Sequence, residues 1–364
     1  MILSGGAAAS AVQAQSATPE SLANTVNVDC GAGESLRDAI AEHGGGYTYQ
    51  VRGTCNEHVT VDRDGITIDG GREAVIDAGN AENVPVVHVD GARNVTLRGV
   101  TLQNGHWGAL IEELSTVLME DVVTRANVTH GVEVIFSHVV VNNLHSQENG
   151  RVGLIVDRNS ELRLTDSTLE SNGISGLVIF SSAIGRLEGT NLVRGNGAQG
   201  VTLGQGGKIF TIAAELIIED NGSQGLSLLQ GAEGQFLGGT LTVRGNEGDG
   251  IALDLASTLV LGIAEFGVPG DVTIEENGGH GMSVRGHSQV VVDATMPADI
   301  RSNAGSGVYA DAGHVTISGS VIEANDGVEL ELDFGATATF ADTNVDEIAC
   351  GEGVLVRGSI VCGS

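Results

Sequence analysis

The sequence predicts an all-β solenoid, one elongated body of stacked coils, and three observations carry that prediction. An Asn-led motif, seen in Asn172-Gly173-Ile174-Ser175-Gly176-Leu177-Val178-Ile179, returns along the chain at Asn104, Asn127, Asn149, Asn172, Asn196, Asn221, Asn246, Asn277, Asn303 and Asn325. In every copy but the last, the fourth residue after the Asn is Gly, from Gly108 and Gly131 through to Gly307. Gly is abundant at 55 residues while Pro stands at 4 and aromatics at 3%, a balance suited to many tight turns around a narrow aliphatic interior.

The chain opens on residues 1–28, which read as a leader. Residues 2–14 are small and apolar, and Val12-Gln13-Ala14 fits the small-residue rule for signal-peptidase cleavage, although a basic start is missing. Residues 29–58 form an N-terminal cap. Within it, residues 35–43 read as a short amphipathic helix, with Ser35 at the N-cap, Leu36, Ala39 and Ile40 on one face, and Gly44-Gly45-Gly46 to stop it. Such a helix covers the open end of a solenoid, whose first coil otherwise leaves apolar side chains and strand edges bare.

Residues 59–345 carry the coils. They begin with short β-branched runs, Val59-Thr60-Val61, Ile66-Thr67-Ile68 and Val95-Thr96-Leu97, and continue with repeats that each give one strand after the Gly and one before the next Asn. In stacked coils each strand pairs with its equivalents above and below, about 4.8 Å away, so identical positions touch. An inward Asn at each turn can then hydrogen-bond its own turn and the Asn of the next coil. Gly four residues on fits a bend with positive φ or a close backbone approach. Surplus residues near Gly262 to Gly270 predict a loop bulging from the wall, and after Asn325 the Gly comes early, at Gly327. Residues 346–364 form the closing cap.

The four cysteines lie as local pairs at the two ends, Cys30 with Cys55 and Cys350 with Cys362, without the partners of a zinc site. Two disulfides in an oxidising compartment, hence secretion, are the expectation. No run reaches the apolar length of a transmembrane helix.

The Asn-Gly-x-x-Gly-aliphatic repeat resembles the right-handed, single-stranded parallel β-helix of the pectin-lyase-like superfamily, over roughly Val59 to Val345. That superfamily includes polysaccharide lyases, polygalacturonases and other glycosidases as well as passenger domains, adhesins and phage-tail proteins, so the resemblance implies a fold and leaves the activity open. Pectate lyases of this fold use a basic proton abstractor aided by Ca²⁺. Here Lys208 is the only lysine, set in a Gly-rich turn. Of the polygalacturonase signatures only Gly279-His280-Gly281 is present, and His280 stands where other copies carry Gln224, Asp249 and Ser306, which makes it a turn variant.

A formal charge of −30 excludes a nucleic-acid surface or insertion into anionic membrane and disfavours polyuronate partners, while outward carboxylates could collect Ca²⁺. Aligning the coils gathers one cluster. His106 and Trp107 of the first turn lie near His130 of the second and Arg151 of the third, with Trp107 stacked on His130. On the strand that follows, Glu112 and Asp157 stand two coils apart, about 9 to 10 Å, a separation that overlaps the range of inverting glycosidases. Glu133 falls between Leu110 and Ile155, an apolar setting that raises a carboxyl pKa towards that of a general acid. The expected catalytic set is therefore Glu133, Glu112, Asp157 and His130, with Trp107, His106 and Arg151 holding substrate.

Further along, Asp254, Arg285 and Asp311 share one outward column, read as a cross-coil ion-pair ladder, and Tyr309, His280, His287 and His314 form a possible second groove. Ile135, Ile155, Val178, Phe180 and Leu229 make an apolar outward strip expected to be covered by a second copy or a folded-back segment. Asn94-Val95-Thr96 and Asn127-Val128-Thr129 match glycosylation sequons, the second accidental because Asn127 is an inward rung. Two functions compete: a secreted protein that binds glycan or a surface protein, and an extracellular carbohydrate-active enzyme, a glycoside hydrolase more than a lyase.

Overall fold

The structure, a computed structural model, describes residues 24–358 and Cys362. It is a right-handed parallel β-helix in which all strand pairings are parallel. The leader assigned to residues 1–28 lies outside the described residues up to residue 23, including its cleavage motif. Beyond it, Asn24–Asp29 is a strand paired along Tyr47–Arg52, and Val28 is 2% exposed. Alternating Val26 and Val28 supply the inward face that draws this segment into the first coil.

Each middle coil carries three strands, one more than the repeat suggests. Val152–Asp157 belongs to a 13-stranded sheet, while Glu161–Thr165 and Thr168–Glu170 belong to a 24-stranded sheet that wraps the other two sides. In four coils the last two strands fuse, into Thr67–Asp77, Val95–Gln103, Lys208–Glu219 and Glu233–Arg244. Inward positions stack in columns: Leu154, Leu177, Val201, Leu226, Ile251, Met282, Val308 and Leu330 follow one another in register, all buried. At about 4.8 Å per coil these side chains touch only their neighbours, so the core is continuous and one side chain wide.

The Asn repeat is a buried amide ladder. Asn172 Nδ2 donates to Asn196 Oδ1 at 3.0 Å, and Asn196 Nδ2 to Asn221 Oδ1 at 2.9 Å. The pattern runs from Asn127 to Asn325. Each rung's own backbone N–H also donates to the next Oδ1, as Asn172 does to Asn196 at 3.0 Å. Asn127, at 2% exposure, cannot present a glycan from its sequon in the folded chain. Asn104 departs from the expected frame. Gln103 pairs with Arg125 and Trp107 with His130, so the first turn is one residue shorter and Gly105 takes the rung position, donating to Asn127 Oδ1 at 3.0 Å. Asn104 turns outward to donate to Asp77 at 2.8 Å.

Two backbone conditions shape the turn. The residue before each rung is left-handed, as at Ala126 (φ 53°), Ser171 (φ 55°) and Ala324 (φ 57°). The Gly four places after the Asn has no positive φ and is there for close approach: a Cβ on Gly176 would lie 2.4 Å from Val193 Cγ1 and 2.9 Å from Asn196 Nδ2. In the last copy Glu329 takes this place, 9% exposed, where the ladder has ended.

Leu36–His43 is helical, with the Ser35 Oγ accepting from the Asp38 N–H, and Leu36 and Ile40 buried over the first coil. Glu57 reaches back to accept from the Leu36 N–H at 2.8 Å and from the Ser35 hydroxyl at 2.6 Å. Both disulfides, Cys30–Cys55 and Cys350–Cys362, are formed. Strands Ile348–Cys350 and Leu355–Gly358 extend both sheets into the closing cap. The expected loop after Thr258–Leu261 holds a short 3₁₀ turn and packs back so that Val268 fills the space beside Gly238.

On the 24-stranded sheet one exposed column alternates in sign: Glu170, Arg194, Glu219, Arg244, Glu275, Arg301, Glu323. Arg194 bonds Glu170 at 2.7 Å, Arg244 bonds Glu219 at 2.7 Å and Arg301 bonds Glu275 at 2.9 Å. Single exposed pairs contribute about 0–1 kcal/mol, and here the alternation also disfavours a coil-skipped pairing, which would bring like charges together.

Asn196→Ala removes an acceptor from both the Asn172 N–H and the Asn172 amide, and a donor from Asn221. The expected loss is about 3 kcal/mol, read as a lower urea midpoint with the fold retained by circular dichroism. A loss below about 1 kcal/mol would show the ladder to be dispensable.

Candidate functional site

The outward residues of three successive strands, Trp107–Glu112, His130–Ile135 and Val152–Asp157, form the expected cluster on the 13-stranded sheet. The shared frame places Trp107 beside His130, and Glu133 between Leu110 and Ile155. Ile135 pairs with Asp157, and one coil to its other side stands Glu112, so the two acids are two strand spacings apart, about 9.6 Å. His106 lies against the indole with ring centroids 4.2 Å apart and planes at 62°.

Burial governs the charges here. His130 is 9% exposed, and desolvation, reinforced by the positive charge of Arg151 and by His106, lowers its pKa to about 4. The imidazole is thus neutral at physiological pH, and its Nδ1 is buried without a hydrogen-bond partner. Burial pushes the Glu133 carboxyl up. The Trp107 indole and Arg158 favour its charged form, whereas Asp157 and Glu112 oppose it. The Trp107 Nε1–H lies close enough to Glu133 to be felt but makes no well-formed hydrogen bond. A half-buried acid whose burial favours its protonated form, a neutral His and an indole, the latter two with buried polar atoms left without partners, converge on one patch.

Two residues of the patch were not foreseen. His88 shares the column of Leu110 and Glu133, and its Nε2 meets Glu112 Oε1 at 2.8 Å. It precedes the first Asn repeat, and the only signal in the sequence is its outward place between Val87 and Val89. Arg158 lies 3.6 Å from Asp157, whose Oδ1 also accepts the Arg158 N–H at 2.8 Å. Arg151 is exposed, and among the described residues it makes no ion pair or hydrogen bond through its guanidinium.

Elsewhere on the sheet two expectations change. Arg285 pairs in register with Asp311 but forms no ion pair among the described residues. Its guanidinium lies 5.1 Å from the Tyr309 ring centroid, and Asp254 is engaged at its own turn by the Leu255 N–H at 2.7 Å. The second group is also smaller than expected, because His314 sits on the 24-stranded sheet, against Thr337. His280 is a turn residue, as read: its N–H donates to Asp249 at 2.8 Å, its Nδ1 accepts from the Ser306 N–H at 3.0 Å, and its ring stacks on Tyr309 at 4.9 Å. Burial, then Asp311 and Asp333, raises the Tyr309 phenol, which keeps its hydroxyl protonated. In the apolar strip Val178 is 6% exposed, and Phe180 lies over Gly204, where a Cβ would come within 2.6 Å of the ring. Neighbouring coils thus cover part of it; Ile135, Ile155 and Leu229 are half-buried. The group Cys30, Cys55 and Glu57 is no metal centre, since the sulfurs are bonded to each other and Glu57 caps the helix.

The family described as right handed beta helix region matches residues 52–188 and 85–247, which together span more than half of the chain, and the chain belongs to it. Among solved structures, the A-module of the mannuronan C-5 epimerase AlgE4 from Azotobacter vinelandii is similar at TM-score 0.54 and 16% identity, over 88% of this chain and 91% of that one. The AlgE6 A-module from the same organism is similar at 0.53 and 17%, over 88% and 93%. The pectate lyase Pel9A follows at 0.51 and 12%, over 92% and 82%. At these identities the likeness is one of fold. Comparison with curated protein sequences finds no match.

The two shifted groups give opposite pH signatures. Above pH 6.5 His130 is neutral whether folded or not. Between 6.5 and about 4 the unfolded chain takes a proton that the folded site refuses, costing roughly 3 kcal/mol by pH 4. His130→Asn therefore flattens the acid limb of the stability profile. The raised Glu133 carboxyl costs stability as pH climbs past the ordinary carboxylate range, so Glu133→Gln raises the melting temperature at pH 7 and leaves it unchanged near pH 4. Urea and thermal midpoints between pH 4 and 8 check both; parallel profiles for wild type and variants contradict the assignment.

Proposed function

We propose that the chain is an extracellular polysaccharide-acting protein that holds a glycan against the 13-stranded sheet at Trp107 and cleaves it with Glu133 as proton donor. The observation that carries this reading is Glu133 itself, a carboxyl raised by burial beside the chain's one tryptophan and between two further acids. Glu133 would protonate the glycosidic oxygen as the C–O bond breaks. Asp157 or Glu112, each one strand over and two residues along from Glu133 at about 7–8 Å, would take a proton from the water that adds to the anomeric carbon, a separation within the inverting range. The half-buried Trp107 ring would stack against a sugar face. The two disulfides support an oxidising, extracellular location. The relatives' names, mannuronan epimerases and a pectate lyase, support a glycan as the class of partner. The charge of −30 favours a neutral polysaccharide over a polyuronate.

Binding without turnover is the second reading. It is favoured by the prior engagement of both auxiliary acids, Glu112 with His88 and Asp157 with Arg158.

Incubation with neutral and anionic polysaccharides, with and without Ca²⁺, separates the readings. New reducing ends report hydrolysis, and ultraviolet absorbance of unsaturated ends reports a lyase. Glu133→Gln is expected to lower turnover at least about 100-fold with binding retained, and Trp107→Ala to weaken binding. Full turnover in Glu133→Gln, or unsaturated products, contradicts the mechanism; binding with no product in wild type favours the second reading.

A further inference from the structure

We propose that His280, Arg285 and Tyr309 form a second saccharide subsite, reached along the same sheet face from Trp107. The inference rests on the glycan reading above and extends it to the far coils.

The first observation is shared geometry. Tyr309 stands in the same column as Glu133, which runs on from it through Ile155, Val178, Thr202, Ser227, Ala252 and Ser283. The two groups are seven strand steps apart, about 34 Å. Their chemistry also recurs: Trp107, His130 and Arg151 at one end, Tyr309, His280 and Arg285 at the other, each with a glutamate in the same column, Glu133 and Glu331.

The second observation is uncommitted polar capacity. Most arginines of this acidic chain are paired, yet Arg285 spends its charge on a ring face and makes no ion pair or hydrogen bond among the described residues. The Tyr309 hydroxyl likewise has no hydrogen-bond partner there. Stacking of His280 on Tyr309 at 4.9 Å, with Arg285 held at 5.1 Å, fixes three flat groups against one another, so little side-chain freedom remains to be lost on binding.

The third observation is the path between the groups. From Thr202 to Ser283 the column carries only short side chains, a low floor flanked by Gln199 and Gln224 on one side and Leu229 on the other. Thr202, 7% exposed, has a buried hydroxyl with no partner. Among the described residues, three of the four such orphaned side-chain atoms, those of Trp107, His130 and Thr202, lie on this one face. Around Arg285 the acids Asp254, Asp311 and Glu331 outnumber it, which selects a neutral chain over a polyuronate.

Affinity electrophoresis in gels containing xylan, galactomannan, mixed-linkage β-glucan or polygalacturonate, paired with calorimetry on short oligosaccharides of whichever retains the protein, tests this. Tyr309→Ala is expected to weaken retention by the polymer about tenfold and leave short-oligosaccharide affinity unchanged, while Trp107→Ala weakens both. Tyr309→Phe keeps the ring stack and loses less. Arg285→Gln gives the same length-dependent loss and serves if Tyr309→Ala does not fold. Unchanged polymer retention in folded Tyr309→Ala and Arg285→Gln overturns the second subsite while leaving the Trp107 site intact. The reverse pattern, loss in Tyr309→Ala but not in Trp107→Ala, supports this subsite and removes the Trp107 reading. Retention only by polyuronates, abolished by moderate salt, overturns the neutral-chain assignment.

Discussion

The amide ladder from Asn127 to Asn325 is the interaction on which the rest of this molecule depends. Each coil must turn sharply at the same place, and the turn buries backbone N–H and C=O groups that no strand partner can reach. An Asn side chain meets both needs: its Oδ1 accepts from the backbone and amide of the rung below in sequence, and its Nδ2 donates to the rung above and to a carbonyl such as Leu169 O. Because every rung both gives and receives, a coil cannot slip by one residue without orphaning several buried groups. That constraint keeps the outward side chains of successive coils in fixed columns, and the columns make the site.

Much of this was legible in the sequence because the repeat is itself the physical unit. Asn at the rung and Gly at the close approach are near-obligatory choices, so they recur and reveal the period. The left-handed residue before the rung was hidden, since Ala126, Glu148, Ser171 and Asp220 all occupy it and no residue type marks it. The first turn misled for a related reason: Asn104 has the right identity one place too early, and only strand register shows that Gly105 carries the rung. The third strand of each coil was missed because, between the two marked strands, nothing recurs strictly.

At the site, register was readable and rotamers were not. Trp107, His130 and Glu133 sit as the frame implies because each starts or lies within a strand whose place the Gly sets. Asp254, Arg285 and Asp311 share a column as implied, yet Arg285 turns to an aromatic face in place of a carboxylate. Backbone neighbours fix which groups are within reach, while competition among a ring, a turn N–H and solvent decides which contact forms. His88 lay outside the repeat that organised the reading, and it now links Glu112 to the patch.

The sheet face also shows how a protein of charge −30 can build a distinct local field. Outward side chains of adjacent coils shield one another, so Val178, Thr202 and Ser227 are nearly inaccessible although they point away from the core. That wall is thick enough to desolvate His130 and Glu133, and it shifts them in the directions burial dictates, each towards its neutral form. The central claim is that this aromatic-edged face receives a sugar chain. A crystal structure with a bound neutral oligosaccharide tests it most directly. The account predicts a sugar ring against Trp107 with a glycosidic oxygen in hydrogen-bond reach of Glu133; a chain bound instead along the Glu170-to-Glu323 column of the 24-stranded sheet would contradict it.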